Sequence, residues 1–183
     1  MIHTLLFTGH MIDAPQRKVP RFPAAKEANA REEIRNCLKK EASLNQQLMG
    51  IAGGASGGDI LFHEVCDELF IPSQVYLALP VDEFKKASVS FAGREWEVRF
   101  ERLLKKLPVH FLTNTNSMHG SDNVWERANL WMLQHALANG GNNMSLIALW
   151  DRKGGDGTGG TEHMVTVAKA EGAKSIIIDT NNL

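Results

Sequence analysis

The feature that most constrains this chain is how its short apolar runs end in small residues and hand over to helical periodicity. Ile2–Phe7 reads as a strand and runs into Thr8-Gly9-His10. Leu48–Ala52 reads as a short buried strand and runs into Gly53-Gly54-Ala55-Ser56-Gly57-Gly58-Asp59. Met144–Trp150 is another, followed by Gly154-Gly155-Asp156-Gly157-Thr158-Gly159-Gly160-Thr161. Apolar residues at helical spacing predict helices over 24–42 (Ala30, Ile34, Cys37, Leu38), 57–69 (Leu61, Val65, Leu69) and 94–107 (Trp96, Phe100, Leu103, Leu107). Two more are expected over 123–139 and 160–171, with further strands at Gln74–Leu79, Val109–Leu112 and Lys174–Ile178.

Strands alternating with helices call for crossover units, hence a mostly parallel sheet with helices on both faces. The expected architecture is α/β, Rossmann-like and doubly wound, as a single domain over 1–183. Neither an internal repeat nor a linker breaks the pattern. Two connections are long. Residues 10–23 carry Pro15, Pro20 and Pro23 with Arg17 and Arg21, and residues 80–93 carry Phe84, Ser88, Ser90 and Phe91. Each reads either as a lid over a site or as a surface excursion.

Composition narrows the function classes. Hydrophobic residues make up 43% and charged residues 22% of 183, and the net charge is -1, so no global basic field is present to hold duplex DNA. Cys37 and Cys66 both fall on apolar helical positions, where a reduced thiol acts as a small hydrophobe. Neither a basic leader nor a run of ~20 apolar residues occurs, so a cytoplasmic protein that does not span a membrane is expected. The histidines show no tight metal spacing, and His63-Glu64 lacks a partner histidine four residues on, so no metal is expected.

The glycine clusters fall at carboxyl ends of strands, which in an open parallel sheet share one edge where ligands bind. Glycine lets backbone approach a ligand closely, and free amides at a helix start receive phosphate or carboxylate. Two such loops on one edge can hold a phosphorylated ligand from two sides; the plainer reading is tight strand-to-helix turns. Gly-Lys-Ser/Thr of the P-loop is absent, and no dinucleotide fingerprint follows the first strand. A nucleophile elbow is absent too, because Gly57-Gly58-Asp59 puts no serine at the turn.

In order along the chain, these segments resemble the SLOG superfamily, which groups the Lonely Guy (LOG) phosphoribohydrolases, the DNA-processing protein A Rossmann domain and several nucleotide-sensor domains. Gly50-Ile51-Ala52-Gly53-Gly54-Ala55-Ser56-Gly57-Gly58-Asp59 is similar to that group's second-strand motif, and Phe7-Thr8-Gly9-His10 to a first-strand Thr-Gly-His. Asn123-Val124-Trp125-Glu126-Arg127 stands where LOG proteins carry Met-His-x-Arg-Lys, and Gly154-Gly155-Asp156-Gly157-Thr158 resembles their Pro-Gly-Gly-x-Gly-Thr loop. The chain departs from LOG at three places. Thr161 occupies the position of the catalytic acid, with Glu162 one residue further. Ala128 replaces the motif lysine, and Lys153 the motif proline.

The resemblance implies a sensor domain for a nucleotide or nucleotide-derived ligand of the ADP-ribose or NAD kind, serving signalling or defence and self-associating as a homo-oligomer. The ligand-binding residues expected are Thr8, Gly9, His10, Gly53, Gly54, Ala55, Ser56, Gly57, Asp59, Arg127, Gly154, Gly155, Gly157, Thr158, Gly159, Gly160 and Thr161. No resident cofactor is expected beyond that ligand. Arg127 suits a bidentate phosphate contact or a surface ion pair. Asp59 either caps its loop or bonds a ribose hydroxyl. Trp125 can stack a base, while Trp96, Trp131 and Trp150 fit core packing. Arg94 and Arg99 read as a solvated helix face.

The enzyme alternative is a LOG-like hydrolysis of nucleoside monophosphates, with Glu162 as acid/base and Arg127 beside it. The plainer reading of Glu162 is an acid in a helix's first turn. A third possibility, single-stranded DNA binding, needs a basic stripe at Arg17, Lys18 and Arg21.

Overall fold

The computed structural model describes residues 1–112, 123–153 and 160–183. Six strands form one all-parallel sheet: β1 (His3–Gly9), β2 (Leu48–Ala52), β3 (Ser73–Leu77), β4 (Val109–Phe111), β5 (Met144–Trp150) and β6 (Lys174–Asp179). Their spatial order is β4-β3-β2-β1-β5-β6. The chain winds outward from β1 to β4, returns across the sheet, and adds β5 on the other side of β1. That reversal between β1 and β5 is a topological switch point, where the loops at the strands' carboxyl ends diverge. The expected doubly wound α/β architecture is the one present.

The helices are α1 (Glu27–Leu44), α2 (Gly58–Glu68), α3 (Val81–Ser88), α4 (Arg94–Lys106), α5 (Val124–Ala136) and α6 (Thr161–Ala170). Side chains of β1 alternate between two cores. Leu5 and Phe7 join Ile34, Leu38, Ile60, Phe62 and Phe100 under α1, α2 and α4. Leu6 joins Met132, Leu133, Met164 and Val165 under α5 and α6. Burial on both faces explains why the strands read as continuous apolar runs. No helix among the described residues is long and apolar enough to cross a membrane.

Two departures from the sequence reading bear on the site. Residues 80–93 are not a loop: they hold α3 and a 3-10 turn at Ser90–Ala92. Only Phe84 and Ser88 of α3 are buried, too few apolar positions for periodicity to register. Its charges do fit the helix dipole, with Asp82 and Glu83 in the first turn and Lys85 and Lys86 in the last. Arg99, expected on a solvated face, is only 11% exposed. It pairs with Glu27 and Glu64, each at 2.7 Å, while its guanidinium lies 4.0 Å from the centre of the Trp96 ring. Fixed this way, α4 cannot present Arg99 to an incoming anion.

The loop 10–23 is ordered by its own side chains. Phe22 and Ile12 are buried, and the Asp13 carboxylate accepts the Arg21 and Phe22 amides at 2.9 Å each. Arg17 pairs with Asp13 and Arg21 with Asp151, both at 3.4 Å, so two members of the proposed basic stripe are committed internally. At the opposite, amino edge of the sheet, Glu41 is buried. It accepts the Ser145 hydroxyl at 2.9 Å and the Lys174 ammonium, with His3 at 3.6 Å.

Candidate functional site

Over the carboxyl ends of β1, β2 and β3 lies a cavity of about 450 Å³. β1 contributes Thr8 and Gly9, the turn after β2 contributes Gly53 and Ala55, and β3 and the residues after it contribute Tyr76 and Ala78. Asp59 enters from the first turn of α2, and Phe84, Ala87 and Ser88 from α3. Trp125, Ala128, Asn129 and Met132 line one stripe of α5, with Glu126 at its edge. Gly160 and Thr161 come from the start of α6. The walls are mostly apolar and aromatic, with carboxyl groups (Asp59, Glu126) and amides (Asn123, Asn129) set into them. Such a lining suits a small organic ligand oriented by a few polar contacts.

The glycine turn is built around Asp59. Its Oδ2 accepts the Ala55 N–H at 3.2 Å. A Cβ on Gly53 would lie 2.5 Å from that same oxygen, so only glycine admits the carboxyl there. Gly53 is held from its other side by His63, whose Nε2 lies 3.0 Å from the Gly53 carbonyl oxygen. A carbonyl only accepts, so Nε2 carries the proton and Nδ1 accepts the Ser73 hydroxyl at 3.0 Å. Burial pushes His63 down to about 4, which keeps it neutral in that role. Burial pushes the Asp59 carboxyl up to about 7, and the single Ala55 bond only partly opposes it.

Three amides of this turn have partners within the protein. Beyond Ala55, the Ser56 N–H donates to Ser88 O at 2.9 Å and the Gly58 N–H to His10 O at 3.2 Å. Gly57, at φ +98°, pairs with Met11 in an isolated bridge, and a Cβ there would meet Ile12 N at 2.5 Å. Gly54, Ser56 and Gly57 therefore serve the packing of the turn, and Gly53, Ala55 and Asp59 face the cavity. Alongside these amides the turn presents the Asp59 carboxyl to the cavity. The start of α6 differs. Its N-cap is Gly160, which has no side chain to cap the helix, and Gly160 and Thr161 stand at the cavity wall.

Other expected residues take different places. His10 is buried, with Nε2 3.1 Å from Asp151 Oδ1, and is not among the cavity-lining residues. Burial would raise the Asp151 carboxyl, but the His10 bond, the Lys153 amide and the Arg21 charge together hold it below the usual range. Arg127 lies two residues past Trp125, about 200° around the helix, and is not in the lining either. Glu162 is exposed in the first turn of α6, and the cavity contact there is made by Thr161. Gly154, Gly155, Gly157, Thr158 and Gly159 lie outside the described residues. Cys66 is buried and Cys37 half-buried, and burial raises both thiols, Cys37 to about 11, which removes them as nucleophiles.

Glu126 and Asn129 are lining residues that sequence reasoning did not single out. Their signal was the spacing of 125, 128, 129 and 132 on one helical face, which mixes polar with apolar types. Among the described residues no group of three or more His, Cys, Asp or Glu is arranged to hold a metal ion. Compared with protein-family models and with curated proteins, the chain has no match.

Proposed function

We propose that the chain binds a nucleotide or nucleotide-derived small ligand of the ADP-ribose or NAD kind, and acts as a sensor for it. The observation that carries this reading is the switch-point cavity, with Trp125 on one wall and the start of a helix on another. A base is suited to stacking on Trp125, which is 37% exposed. Asp59, Glu126, Asn123 and Asn129 are suited to ribose hydroxyls and base edges. A phosphate group is suited to the amides at Gly160 and Thr161, at the positive end of the α6 dipole. Binding across α2, α5 and α6 would bias how these elements sit together, which is the means by which a sensor reports, through self-association in a signalling or defence system.

Thermal melting with AMP, ADP-ribose and NAD tests the reading. A true ligand at about 100 times its dissociation constant adds about 2.7 kcal/mol of stability. Trp125→Ala should weaken binding at least tenfold by calorimetry. Failure of every nucleotide to move the melting temperature would sink the reading.

A second reading, hydrolysis of a nucleotide's N-glycosidic bond, is favoured by one observation: the carboxyl groups of Asp59 and Glu126 share this mostly apolar cavity.

A further inference from the structure

We propose that Asp59, and not Glu162, is the general acid that protonates the departing base when this cavity cleaves an N-glycosidic bond. The inference rests on the second reading above, hydrolysis in this nucleotide cavity, and adds to it the residue that drives the reaction.

Geometry separates the two acids. Asp59 lines the cavity, whereas Glu162 is exposed and outside the lining. One oxygen of Asp59, Oδ2, is fixed by the Ala55 N–H at 3.2 Å, and the residue lines the cavity. Among the described residues, burial and the Ala55 amide are the influences on its ionisation. A carboxyl so placed keeps a proton near neutral pH, as a general acid requires. The mount is rigid. Gly53 sits against the carboxyl on one side and is anchored by His63 on the other, and His63 itself stands one helical turn after Asp59 on α2. The Ala55 amide thus bonds the carboxyl directly, while Gly53 leaves it room and His63 fixes Gly53 in place.

The step balances with the two cavity carboxyls, Asp59 and Glu126, and water. The bond between the sugar C1′ and the base nitrogen breaks, and its electron pair goes to the nitrogen. The nitrogen takes the proton of Asp59. Water oxygen bonds to C1′, and the Glu126 carboxylate receives the water's proton. Proton exchange with solvent returns both carboxyls to their starting states, and the products are free base and sugar phosphate.

The test uses the full chain with AMP and the other nucleoside 5′-monophosphates, following free base by chromatography and affinity by calorimetry. The expected result is that Asp59→Asn lowers base release about 100-fold or more while still binding nucleotide. For the wild type, kcat/KM should fall as pH rises past about 7, where Asp59 loses its proton. Glu162→Gln tests the competing assignment, and loss of turnover there with Asp59→Asn unaffected overturns the proposal. Binding without any release of base by the wild type also overturns it, and leaves the sensor reading standing. Absence of binding removes both. Should Asp59→Asn fail to fold by circular dichroism, the wild-type pH profile decides: a rate flat through neutral and alkaline pH refutes the assignment.

Discussion

Gly53 carries more structural meaning than its size suggests, because a carboxyl oxygen and a histidine close on it from two sides. Gly53→Ala would press a Cβ to 2.5 Å from Asp59 Oδ2. We expect about 1–3 kcal/mol of lost stability and at least tenfold weaker nucleotide binding, read by thermal melting and calorimetry. The two buried titrating groups of α2 give opposite pH signatures. Asp59 is raised from 3.8 to about 7, so the fold favours its protonated form; that contribution is full below about 4 and is lost as pH rises through 7. Asp59→Asn should therefore gain in melting temperature over the wild type as pH rises from about 5 to 8, and a constant difference would refute the buried-acid description. His63 is lowered to about 4, so its contribution is present above 6.5 and is lost as pH falls through about 4. His63→Ala removes the link between Ser73 and Gly53 and should cost about 2–4 kcal/mol near neutral pH.

At the scale of elements, α3 is the part of the cavity wall with least chain behind it. Phe84 stacks on Phe100 with ring centres 5.8 Å apart and meets Trp125 edge-on at 5.8 Å. It thereby joins three helices from separate parts of the chain. Phe84→Ala should cost about 3–5 kcal/mol and leave the Trp125 face of the cavity unsupported, so that affinity falls along with stability. The 10–23 loop is the contrasting case. Phe22 plugs it into the main core, and the Asp13 carboxylate gathers two of its amides. Asp13→Ala strips two buried donors of their acceptor and should cost about 1–3 kcal/mol. Protease digestion should then start within 10–23, and unchanged resistance there would contradict this account of the loop.

For the molecule as a whole, the sheet separates two charge environments. Its amino edge buries Glu41 among Ser145, Lys174 and His3, a satisfied polar cluster that ties α1 to β1, β5 and β6. Its carboxyl edge holds the cavity, where Asp59 has one amide and, among the described residues, no ion pair. Satisfied buried charge is a structural arrangement, whereas an under-satisfied carboxyl facing a cavity is the pattern expected of a working group. The strand order makes this division possible, since the reversal beside β1 opens a crevice at the carboxyl edge.

The sequence by itself determined the strands, most of the helices and the parallel sheet, because burial on both faces writes β1, β2 and β5 as unbroken apolar runs. It also located the turn 53–59, since glycine density after a strand is a local property of the backbone. Which atoms of that turn reach the cavity was decided only in three dimensions. The Ser56 and Gly58 amides are taken by Ser88 and His10, partners 32 and 48 residues distant in the chain. Arg127 and Glu162 looked suitable by motif position, but a rotation of 100–200° about a helix axis turns a side chain off the facing stripe. Glu126, Asn129 and α3 became visible as walls only once three separate segments were packed together. Local pattern records what each segment buries, while a site depends on which segments meet.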